Sequence, residues 1–111
     1  MRRRVVWATT AHDDFLNIIG FIAQENPDAA GRVADRIDQA VAALGDFAAG
    51  RAGRVTGTYE KVVRGLPYIL AYEIVRQPGA HEVVAILHVV HGARDWPPGQ
   101  WPKTERPQEA P

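Results

Sequence analysis

The feature that most restricts the fold is a change of hydrophobic period near Gly50. Before it, apolar residues recur at helical spacing; after it, β-branched and aromatic residues gather into short runs divided by Gly and Pro. Helices and strands segregated along a chain, rather than alternating, point to an α+β domain. The chain has 111 residues and 46% hydrophobic content, enough for one modest core.

Arg3 to Trp7 reads as a short first strand stopped by Thr9-Thr10, with Thr10 placed to N-cap a first helix and Asp13-Asp14 at its positive end. At about 100° per residue, Ala11, Phe15, Leu16, Ile18, Ile19, Ile22 and Ala23 share one arc, and Phe21 falls outside it, on the polar flank. Asn26-Pro27 is a break and a restart: Asn is a good N-cap, and Pro at the first helical position loses no hydrogen bond. The second helix is expected over 29–48, with Ala30, Val33, Ala34, Ile37, Ala40, Val41, Leu44, Phe47 and Ala48 as its apolar stripe. Gly50 to Gly53 ends the helical half. Two short strand-like pieces follow around Gly57, then strands over 68–75 and 82–91 separated by the turn Gln77-Pro78-Gly79-Ala80. Strands joined by short turns must form an antiparallel meander. The expected architecture is an N-terminal strand and a helical hairpin packed on an antiparallel sheet of three to four strands. One domain spans 1–97, and 98–111 is a Pro-rich tail expected to be flexible.

Charge is balanced in total and uneven along the chain. Residues 11–48 hold seven acids and two Arg (net −5), residues 1–10 three Arg (+3), residues 49–96 six bases and four acids (+2), and the remainder sums to zero. This describes an acidic helical half opposite a mildly basic sheet. Cysteine is absent, which removes disulfides and thiolate chemistry and fits a reducing cytoplasm. The apolar run after Met1-Arg2-Arg3-Arg4 is too short for an export signal, and no run approaches the roughly 18 residues of a membrane span.

Serine is absent, so a serine nucleophile is excluded, and no phosphate-binding glycine motif follows a strand. Of four histidines, His88 and His91 lie three apart on one strand and so on opposite faces while alternation holds, which disfavours a shared metal; no cofactor is expected. A ribonuclease would recruit His88 or His91 as acid/base, with Lys61, Arg64, Arg76 or Arg94 stabilising phosphate charge. A net charge of zero is poorly suited to gripping nucleic acid.

Helix one ending in Asn26-Pro27, Ala30 opening helix two, Gly50-Arg51, the Gly65-Leu66-Pro67-Tyr68 turn into Ala71-Tyr72, and the run from Val84 through His91-Gly92-Ala93-Arg94-Asp95-Trp96-Pro97 together resemble the ParE branch of the RelE/ParE toxin superfamily. Tyr59 and His88 stand where relatives commonly carry Arg, so roles of those arginines do not transfer. The resemblance implies a non-enzymatic toxin of a type II toxin-antitoxin pair that inhibits DNA gyrase by protein binding, without direct DNA binding. It also implies a hetero-oligomer with a ParD-like antitoxin; the alternative is a RelE-type, ribosome-dependent ribonuclease. The expected target contacts are His91, Arg94, Asp95 and Trp96, and the expected antitoxin contacts Leu16, Phe21, Tyr68 and Tyr72.

Overall fold

The helical hairpin is built at Asn26, whose side-chain oxygen accepts from the Ala29 amide at 3.0 Å with Pro27 in the first turn. It joins α1 (Thr9–Ala23) to α2 (Pro27–Asp46) in a computed structural model that describes residues 3–48, 50–79 and 81–92. The strands are β1 (Arg4–Trp7), β2 (Arg51–Ala52), β3 (Tyr59–Val62), β4 (Tyr68–Gln77) and β5 (His81–His91), in the spatial order β1-β5-β4-β3-β2.

The meander β3-β4-β5 is antiparallel, as expected, and β2 extends it at one edge. The sheet differs from the expectation in having five strands and in being mixed, because β1 lies parallel to β5, with Val5 beside Val84 and Trp7 beside Ile86. The reason is topological. The helical hairpin carries the chain from β1 at one edge of the sheet to β2 at the other, which runs opposite to β1, and the antiparallel reversals through β3 and β4 bring β5 back parallel beside β1. Both helices cover one face, where Ile37, Val41 and Leu44 of α2 and Ala11 of α1 meet Leu70, Tyr72, Val84, Ile86 and Val89. Ile37 is fully buried, a contribution of about 1.5–3 kcal/mol.

Two helix ends depart from the sequence reading. Thr10 does not cap α1; the helix starts at Thr9 after an extended Ala8, and the Thr10 hydroxyl donates instead to the Leu87 carbonyl at 2.6 Å. The α2 helix stops at Asp46, two residues before the expected end at Ala48, so Phe47, extended at φ −153°, leaves the helical period and is exposed rather than buried. The turn at Gly79 (φ +85°) sits where Gln77-Pro78-Gly79 marks it, and the backbone there needs a residue without Cβ.

Candidate protein-interaction site

Where β1 ends at Trp7, the edge of β5 loses its strand partner and α1 takes over. The Ala8 amide still donates to the Ile86 carbonyl at 2.8 Å, Thr10 reaches Leu87, and the Asp14 carboxylate accepts from the Val89 amide at 3.0 Å. An open strand edge is thus closed by helix side chains. The pairing of β4 with β5 slips at the same place: Ala71 faces His88 and Tyr72 faces Ile86, leaving Leu87 without an opposite residue. This bulge is what sets the direction of His88. Its Nδ1 lies 3.0 Å from Asp14 Oδ2, an ion pair when the ring is protonated and a hydrogen bond otherwise.

His91 is three residues further, in register with Tyr68, and meets its ring edge-on with centroids 5.5 Å apart. Tyr68 shares the helix-covered face with Leu70 and Tyr72, so His91 points to that face, while His88, opposite Ala71, belongs to the other and is drawn to the sheet edge. The two imidazoles do not converge. Arg76 lies at the far end of β4, with Nη2 3.8 Å from Glu82, and Arg64 stands beyond the end of β3, its carbonyl accepting from Arg36 of α2. Among the described residues, His88, His91 and Arg76 are therefore not gathered around one point. Among the described residues no group of three or more His, Cys, Asp or Glu is arranged to hold a metal. Arg94, Asp95 and Trp96 lie outside the described residues.

The expected antitoxin contacts divide. Phe21 is 71% exposed and Leu16 52%, one and a half turns apart on α1. Leu16, placed by period on the buried arc, stands at its rim instead, because the helix meets the sheet through Ala11, Phe15 and Ile18. Tyr68 is half-buried. Tyr72 is fully buried, so it cannot present its side chain to a partner; it is a core residue, and the neighbouring surface aromatic is Tyr59, stacked on it at 5.5 Å. Burial pushes the Tyr72 phenol up, with Tyr59 adding to this. The Gly50 amide and Arg3 pull the other way, the amide approaching the hydroxyl without hydrogen-bond geometry. The Tyr68 phenol is raised by burial alone.

Further large hydrophobics are exposed, among them Phe47, which helical periodicity had placed on the apolar stripe. Phe47, Tyr59 and Val62 are exposed large hydrophobics at the α2 end and the β3 edge. Next to Tyr59 on β3, Glu60 holds the β2–β3 hairpin: its side chain is 2% exposed, accepts from the Arg54 amide at 2.9 Å and meets Arg51 at 3.4 Å. A buried carboxylate fixed by a backbone amide and an arginine ties this edge together. The arrangement offers apolar contact area on a rigid scaffold.

Known proteins resemble this chain over most of its length. The model of the ParE toxin of the type II toxin-antitoxin system parDE matches residues 5–96. A protein of Sinorhizobium fredii (strain NBRC 101917 / NGR234) that carries the toxin designation Y4kP is 40% identical over 97 residues, covering 86% of this chain and 95% of its own. Among solved structures, the chromosomal ParDE system of P. aeruginosa contains a chain similar at a TM-score of 0.69 and 20% identity, covering 81% of this chain and 96% of that one. The RelBE2 toxin-antitoxin complex of Mycobacterium tuberculosis contains another, at 0.53 and 26%, covering 85% and 95%. With a family match over most of its length, the chain belongs to the ParE toxins of type II toxin-antitoxin systems.

Proposed function

We propose that this chain arrests growth by binding DNA gyrase as a protein partner, without catalysis of its own, and that a ParD-like antitoxin neutralises it in a hetero-oligomeric complex. The observation that carries the reading is the scatter of the candidate catalytic groups: His88 is engaged by Asp14 at the sheet edge, while His91 meets Tyr68 on the opposite face. Exposed Leu16 and Phe21 supply the kind of apolar anchor that a partner helix covers, and half-buried Tyr68 adds a third antitoxin contact. The solved relatives come from a ParDE system and a RelBE2 toxin-antitoxin complex, which supports an antitoxin partner here. Target contact is assigned to His91 and the Arg94-Asp95-Trp96 segment that follows it, Trp and Arg being frequent interface anchors. A gyrase inhibitor acts in the cytoplasm. No described helix is long and apolar enough to cross a membrane.

Purified chain added to gyrase and relaxed plasmid tests this: supercoiling falls as the chain is titrated in, and His91→Ala weakens the effect. Undiminished supercoiling at excess chain rejects it. The second reading, a ribosome-dependent endoribonuclease, draws on one feature, the 3.0 Å contact of His88 with Asp14, in which a carboxylate orients an imidazole as in acid/base pairs. Cleaved messages after induction, abolished by His88→Ala, would favour it.

A further inference from the structure

The described surface holds a groove of about 420 Å³ between α2 and the turn after β3, lined by Arg36, Gln39, Ala40, Val63 and Arg64. We propose that this groove binds an acidic peptide segment, with Arg36 and Arg64 pairing its carboxylates and Ala40 and Val63 receiving an apolar side chain between them. Arg36 is held in place: its Nη1 donates to the Arg64 carbonyl at 3.0 Å, tying helix to turn. Gly65 makes that position possible. At φ +78°, an added Cβ would fall 2.5 Å from the same Nη1. The Arg36 guanidinium has further N–H donors besides the one so used, in the planar fork that suits a carboxylate.

Charge identifies the occupant. Residues 11–48 are net −5 and contain only two arginines, Arg32 and Arg36, so the groove is a local reversal of sign on an acidic helical half. None of its lining residues is acidic. Two cations over an apolar floor on a chain of zero net charge are too few for nucleic acid, which needs many phosphate contacts, but match a carboxylate-bearing peptide with an apolar residue. The inference rests on the reading above in one respect only, that the chain has a peptide-presenting partner.

The test is a titration of the full-length ¹⁵N-labelled chain with a capped peptide of alternating Glu and Leu, with a Lys-Leu peptide and a single-stranded oligonucleotide as controls. Saturable shifts are expected at Gln39, Ala40, Val63, Arg64 and Gly65 with the Glu-Leu peptide only, weakening with salt. Arg64→Gln, whose side chain supports nothing else in the groove, and Arg36→Gln each weaken binding by about 1.5- to fivefold, the range for one exposed ion pair. Arg36→Lys, keeping charge but losing the fork, falls between. Absence of saturable shifts at these residues, shifts unchanged in both Gln variants, or equal binding of the oligonucleotide overturns the proposal. Gyrase inhibition is measured separately on the Arg64→Gln chain, so a failed groove and a failed target are told apart.

Discussion

Asp14→Ala removes one carboxylate oxygen that serves two donors, the Val89 amide and the His88 ring, each at 3.0 Å. Val89 is 4% exposed, and its amide lies on the stretch of β5 that β1 no longer pairs. Alanine leaves that donor unsatisfied, at about 1–3 kcal/mol, and forfeits a charge-assisted bond besides. The expected loss is about 2–4 kcal/mol, or roughly 10–25 °C in Tm for a domain of this size. Asp14→Asn keeps an acceptor for the amide and should lose only about 1 kcal/mol. Urea unfolding followed by circular dichroism measures both, and amide exchange at Val89 locates the effect. A double-mutant cycle with His88→Ala should give a coupling of at least about 0.5 kcal/mol. The reasoning fails if Asp14→Ala stays within about 0.5 kcal/mol of the parent, the range of an ordinary surface change. It fails equally if Asn is as damaging as Ala.

Ile37→Ala empties a fully buried site beneath the sheet and should cost about 2–5 kcal/mol in urea unfolding. The Tyr68 and Tyr72 phenols are raised above 10.0 by burial, so above that pH the unfolded chain releases protons that the folded chain retains, and stability falls as pH rises. Tyr68→Phe/Tyr72→Phe should flatten this alkaline limb in unfolding curves taken on either side of pH 10; an unchanged slope would count against it. Phe21→Asp changes an exposed position and should leave unfolding within about 0.5 kcal/mol while raising the antitoxin concentration needed for neutralisation in a growth assay.

Much of the fold was legible because its signals are local. Asn26-Pro27 encodes its own helix restart, and Gln77-Pro78-Gly79 its own turn, so both appear where residue chemistry placed them. The parallel pairing of β1 was not legible, since nothing in Val5-Val6-Trp7 states which strand it will lie beside. The contact between Asp14 and His88 was hidden for the same reason: it joins residues 74 apart and depends on a one-residue bulge at Leu87 that alternation does not foresee. Tyr72 was misplaced because an aromatic on a nearly continuous apolar strand gives no cue as to which face the helices cover. The exposure of Phe21 was legible for the opposite reason, as a single residue breaking a clear helical period.

The central claim is that this toxin acts by occupying a protein target rather than by turnover. It is tested most directly by titrating gyrase supercoiling of relaxed plasmid with purified chain and asking how inhibition scales with the ratio of chain to gyrase. Binding predicts inhibition that grows with occupancy, saturates near stoichiometric chain, and is reversed by antitoxin. Supercoiling that persists at large excess, with substoichiometric chain cleaving message on ribosomes, would contradict it.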